Sequence, residues 1–167
     1  MVKDVEFKKL VARVERIEKK LEKVGFLDAV NKQLVTSKSG DGIKKLTKKT
    51  GVSEEKIREI FDFEDELLTV VQISGLNPKE KTQNISLLTL LGYKYFLDKN
   101  NVSAQEIRRN VGENGIPLEN FATYLNELVP SSVRRKGKPR SPKTTYRLMI
   151  FGESEARRVL KQLCGKN

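Results

Sequence analysis

Apolar residues recur along the chain with two different periods, and the switches between them mark its elements. In FKKLVARVERIEKKLEKV, Phe7, Leu10, Val14, Ile17, Leu21 and Val24 follow alternating steps of three and four. That spacing predicts a helix with a heptad seam, Phe7, Val14 and Leu21 at a, Leu10, Ile17 and Val24 at d. About three heptads are marginal alone, so the seam serves either a coiled-coil dimer or a single helix packed on its own domain. Gly25 supplies a stop. Further on, Ile43 and Leu46 make a short apolar face, Thr50-Gly51-Val52 makes a turn, and Ser53 caps a second helix. Glu54 and Glu55 suit its positive end, and Ile57, Ile60 and Phe61 form its inner face. LLTVVQI, rich in β-branched residues, reads as a strand.

The polar stretch SGLNPKEKTQN reads as a connection between domains. ISLLTLLGYKYFLDKN then predicts an apolar helix burying Ile85, Leu88, Leu91, Tyr95 and Phe96. Ser103 and Glu106 fit a capping box that opens a helix through Val111, and GENG breaks it. Pro117 is placed to begin the next helix, with Leu118, Phe121, Ala122, Leu125 and Leu128 inward. Tyr146, Leu148 and Ile150 alternate with Thr145, Arg147 and Met149, the period of a half-buried strand. Val133 is the inward residue of a shorter partner strand. Gly152 opens a last helix with Ala156, Val159, Leu160 and Leu163 on one side.

Charge alters this picture in one place. The net charge is +11, but residues 1–75 carry 16 Lys/Arg against 14 Asp/Glu, and residues 76–167 carry 17 against 8. Most of the excess lies in SSVRRKGKPRSPKTTYR: Arg134, Arg135, Lys136, Lys138, Arg140, Lys143 and Arg147, with no acid between them. Positive charge gathered in one place is a candidate anion-binding surface, and polyanionic nucleic acid is its commonest partner. With no histidine, Ser-His and Cys-His catalysis and His-ligated metals are excluded. Cys164 is the sole cysteine, so there is neither a disulfide framework nor a thiolate zinc site. No apolar run reaches the length of a membrane span and no cofactor motif is present, so a cytoplasmic or nucleoid-associated protein without cofactor is expected.

From residue 85 the order is helix, helix, turn, helix, strand, basic loop, strand, helix. With VSAQEIRRNV as second helix, PLENFATYLNELV as third and SSVRRKGKPRSPKTTYRLMIFGESEA as wing, the chain resembles the winged-helix family of helix-turn-helix DNA-binding domains. IKKLTKKTGVSEEKIREIF resembles a second, weaker helix-turn-helix unit, with Lys44, Lys45, Lys48 and Lys49 on its first helix. The expected class is mainly α with small β-hairpins. Its expected parts are an N-terminal helix at 1–25, a small helix-turn-helix-like domain at 26–75, a linker at 76–84 and a winged helix at 85–167.

The resemblance implies a non-enzymatic protein binding double-stranded DNA, a transcriptional regulator or chromatin-associated factor. It implies a third helix in the major groove and a wing on phosphates or in the minor groove. The wing cations would neutralise phosphates, with Arg140 at the tip entering a narrow minor groove. On the third helix Asn120 or Asn126 would read an adenine edge, and Thr123 or Tyr124 would bond a phosphate. Glu119 and Glu127 oppose that approach, so Arg108 and Arg109 become alternative backbone contacts. Two other partners fit the residues: a protein, with the domain serving as an interaction module, or RNA stacking on Tyr93, Tyr95 and Tyr124. An enzyme would need the acidic cluster Asp62, Glu64, Asp65 and Glu66 to hold Mg²⁺, and a solvated acidic turn is the better reading.

Overall fold

In the computed structural model of the chain, the described residues are 40–64, 67–71, 77–138, 141 and 143–165. The chain divides into two units, Met1–Ser37 and Lys38–Asn167, and the described residues all belong to the second. The heptad seam from Phe7 to Val24 therefore lies outside the described residues. The second unit is mainly helical with two small antiparallel sheets.

Residues 40–50 form helix α1. Ile43 and Leu46 are fully buried, and Gly51 takes the left-handed conformation that ends the helix. Helix α2, Glu54–Ile60, starts as its sequence predicts: the Ser53 hydroxyl accepts from the Lys56 amide, and Glu54 and Glu55 occupy the first turn. Phe61 is the end of α2 and the first residue of a strand. Strand β1, Phe61–Glu64, pairs antiparallel with β2, Leu67–Val70, in the register Phe61↔Val70. The strand read at LLTVVQI is thus one arm of a hairpin whose other arm begins inside the expected helix.

The expected linker is largely helix. Asn77 caps α3, Pro78–Phe96, by accepting from the Glu80 amide at 2.9 Å, and Pro78 stands where a missing N–H costs nothing. α3 is the central element and is buried nearly all round, in contact with β2 and with residues 104–113, 121–126, 145–148 and 150–164. Two of its buried hydroxyls bond within the helix: Thr82 Oγ1 donates to the Pro78 carbonyl and Ser86 Oγ to that of Thr82, both at 2.7 Å. Tyr95 stays half-buried, while Ile85, Leu88, Leu91 and Phe96 are enclosed as expected.

Phe61 and Phe63 meet the Phe96 ring edge-on, at 5.2 and 4.6 Å between centroids. Gly92 lies so close to Leu68 that a Cβ there would stand 2.3 Å from its methyl group. The two domains expected at 26–75 and 85–167 therefore share one hydrophobic core within Lys38–Asn167.

Strand β3, Val102–Ser103, leads into helix α4, Ala104–Glu113. The capping box is present, with the Ser103 hydroxyl accepting from the Glu106 amide and the Glu106 carboxylate accepting from the Ser103 amide. Helix α5, Phe121–Asn126, has six residues. It does not begin at Pro117: its first residue follows Asn120, which supplies no side-chain cap. Strand β4, Val133–Lys136, and strand β5, Thr145–Leu148, complete a sheet of order β3-β5-β4.

Helix α6, Ile150–Cys164, buries Ala156, Val159 and Leu160. Ile150, expected to face inward at the end of a strand, instead starts α6 and is 90% exposed. Gly152 sits against the Ser132 carbonyl, 1.9 Å from where a Cβ would stand.

Candidate nucleic-acid interface

The basic residues are placed by the hairpin β4–β5. Its register is Val133↔Leu148, Arg134↔Arg147, Arg135↔Tyr146 and Lys136↔Thr145. Side chains alternate across a strand, so Val133, Arg135, Tyr146 and Leu148 share one face, and Arg134, Lys136, Thr145 and Arg147 the other. The first set is the inner one: Val133 is fully buried, Tyr146 is 5% exposed and Arg135 is half-buried. Burial pushes the Tyr146 hydroxyl above its ordinary pKa, and the charge and hydrogen bond of Arg135 partly offset it.

Arg134, Lys136 and Arg147 are exposed on the outer face. With Asn101 and Arg135 they line a cleft of about 390 Å³ beside β3. Among the described residues, none of Arg134, Arg135, Lys136, Lys138, Lys143 or Arg147 has an ion-pair partner. Hydrogen bonds join the two ends of the loop between the strands. Gly137 has φ +109°, and the Lys138 carbonyl accepts from the Ser141 amide at 3.2 Å and from the Thr144 hydroxyl. Lys138 and Lys143 are exposed. Arg140 and the two loop prolines lie outside the described residues.

The expected reading helix has little left to offer. Asn126 Oδ1 accepts from the Arg135 guanidinium at 2.8 Å. Glu127 pairs with Lys79 at 2.7 Å and accepts from Gln83 at 3.0 Å. Tyr124 is half-buried, and its carbonyl accepts from Gln83. Glu119, Asn120 and Thr123 are exposed. On α4, Arg108 is exposed with its guanidinium 5.8 Å from the Phe121 ring centroid.

Arg109 is committed elsewhere. It donates to the Leu68 carbonyl at 2.9 Å, to Thr69 Oγ1 at 3.3 Å and to Glu113 at 3.0 Å. Beside it, the buried Asn110 accepts from the Val70 amide and donates to the Leu68 carbonyl, and Asn114 donates to the Val70 carbonyl. Two α4 side chains and that of its C-cap, Asn114, thus supply the bonds that a further strand would give the edge of β2. Sequence reasoning missed this role, because polar residues on a short helix ordinarily face water.

The α1 lysines differ from the hairpin cations. Lys44, Lys45 and Lys48 are exposed, but Lys49 lies 3.7 Å from Glu153. Glu153 is a buried carboxylate that also takes Lys94 at 2.5 Å, the Tyr95 hydroxyl at 2.7 Å and Arg157 at 3.6 Å. Burial raises its pKa, but the hydrogen bonds from Lys94 and Tyr95 outweigh that and hold it below the usual carboxylate value. This cluster ties α1, α3 and α6 together. Of the acidic group, Asp62 is exposed and accepts from the Phe63 amide at 2.8 Å. The side chains of Glu64, Asp65 and Glu66 lie outside the described residues. Among the described helices none is long and apolar enough to cross a membrane. No family model matches the chain, and neither a curated protein nor a solved structure matches it.

Proposed function

We propose that the protein binds double-stranded DNA through the β4–β5 hairpin, in the manner of a winged helix, as a transcriptional regulator or chromatin-associated factor. The observation that carries this reading is the hairpin's outer face, where Arg134, Lys136 and Arg147 stand together with no acid among the described residues to balance them. The order α3, β3, α4, α5, β4, β5, with β5 central in its sheet, supports the winged-helix comparison. Each phosphate met by Lys or Arg releases condensed counterions, so binding of this kind weakens steeply with salt.

The test is a salt titration of random-sequence duplex against the full chain and a variant with Arg134, Arg135, Lys138 and Arg140 changed to Ala. The variant is expected to bind every sequence more weakly and with a shallower salt slope. Affinity indifferent to salt, or no binding at low salt, would sink the proposal. A second reading, a protein-interaction module, is favoured by one observation. Ile150 and Phe151 are adjacent large apolar residues, 90% and 58% exposed. Binding to a protein through that step would survive salt that removes DNA.

A further inference from the structure

Two observations narrow how the duplex would be held. The first is the register of the hairpin. Arg134 and Arg147 are direct cross-strand partners, an arrangement that places like charges about 4.5–5.5 Å apart at Cβ and opposes folding. Lys136 adds a third cation on the same face, and Asn101 adds an amide at the rim of the cleft. Nothing among the described residues compensates these charges. A compact anion seated between them would do so, and two guanidinium groups and an amide can donate together to the non-bridging oxygens of a phosphate.

The second observation is the state of α5. Asn126 is bonded to Arg135, Glu127 to Lys79 and Gln83, and the remaining exposed groups, Asn120 and Thr123, stand next to the acid Glu119. A helix of six residues whose Asn126 amide, and the Glu127 carboxylate that follows it, are engaged in surface contacts with neighbouring side chains is poorly equipped to read base edges. Phosphates, by contrast, are the same in every sequence.

We infer that the chain holds duplex DNA by its phosphates without reading base sequence, with one phosphate seated between Arg134 and Arg147 beside Asn101 and Lys136. This rests on the DNA-binding reading above and specifies it. Lys138 and Lys143 extend the positive surface along the loop, which suits a row of phosphates over a single small anion.

The experiment uses the full chain and two labelled duplexes of equal length, one A·T-rich and one G·C-rich, followed by fluorescence anisotropy across a salt series. Wild type is expected to bind both within about threefold. Changing Arg134→Thr and Arg147→Thr together weakens both equally and makes the log–log salt slope shallower by about 0.9, the share of the one phosphate no longer neutralised. Thr suits an exposed strand, and removing the opposed charges leaves the melting temperature unchanged or higher.

The companion variant Arg134→Lys with Arg147→Lys keeps the charge but not the planar fork, so the slope stays while affinity falls severalfold. Asn120→Ala with Thr123→Ala changes neither duplex. A tenfold sequence preference that this last variant abolishes would overturn the inference and leave DNA binding standing. A slope unmoved by the double Thr change, or full affinity in the double Lys variant, would overturn the phosphate seat. No binding of either duplex at low salt would overturn the inference and the DNA-binding reading together.

Discussion

Changing Asn110→Ala tests whether the β1–β2 hairpin and helices α3–α6 are one cooperative unit. Asn110 is fully buried. Its Oδ1 accepts from the Val70 amide at 2.8 Å, and its Nδ2 donates to the carbonyls of Leu68 at 3.0 Å and Glu106 at 3.2 Å. Truncation leaves the Val70 amide without that partner next to a fully buried side chain. A buried donor left unsatisfied costs about 1–3 kcal/mol.

The Leu68 carbonyl fares better, because the Arg109 guanidinium still reaches it at 2.9 Å. With the looser packing around the missing amide, the total comes to about 2–4 kcal/mol, a large share of the roughly 5–15 kcal/mol that holds a domain together. Urea unfolding of the full chain followed by far-ultraviolet circular dichroism reads this as a lower midpoint with an unchanged m-value. Hydrogen exchange should show the amides of α4 and of 67–70 losing protection by the same free energy. An unfolding free energy that falls by less than about 0.5 kcal/mol, with exchange quickened at 67–70 alone, would refute the shared unit. The hairpin would then open independently of the helices it touches.

Two further perturbations probe the packing that holds the interface in place. Glu153→Gln removes a carboxylate whose folded pKa lies below its ordinary value of 4.5, chiefly because the Lys94 and Tyr95 hydrogen bonds outweigh burial. A depressed carboxyl contributes stability that is present at neutral pH and lost as pH falls below about 4.5 toward the folded value. Wild type should therefore lose stability through that window more steeply than the Gln variant, and exceed it at pH 7 by on the order of 1–3 kcal/mol; parallel pH profiles would contradict this. Gly152→Ala places a Cβ 1.9 Å from the Ser132 carbonyl oxygen, a backbone atom that cannot swing aside. A loss of about 1–3 kcal/mol or more in thermal unfolding is expected, and a neutral result would mean that α6 packs less closely than described.

The features legible in the sequence were those whose partners are near in the chain. The Ser103–Glu106 capping box and the Ser53 cap need only a few residues, and both are present. The alternation read from Thr145 to Ile150 located its strand for the same reason, although the strand ends at Leu148 and Ile150 belongs to α6. Partners far along the chain were invisible. Val102 and Ser103 form a strand only because β5 arrives to pair with them, and two residues carry no period of their own. Arg109, Asn110 and Asn114 serve the edge of β2, which precedes them by some forty residues. The stretch 76–84 looked like a linker because it is polar, although Asn77-Pro78 is itself a helix-start signal.

The candidate site divides in the same way, and the division bears on function. Composition alone gathers seven cations around one loop, but it cannot say which of them face outward together. That is fixed by pairing Val133 with Leu148, and the pairing is held by apolar burial, Val133 at 0% and Tyr146 at 5% exposed. Moving β4 by one residue would bring Arg135 to the outer face and turn Arg134 and Lys136 toward the core. Such a slip would bury two charges and leave Val133 in water, so the fold strongly opposes it. The hydrophobic residues of the hairpin therefore select the charged set on its outer face. The repulsion between Arg134 and Arg147 persists because the register that sets them opposite each other is the register the core requires.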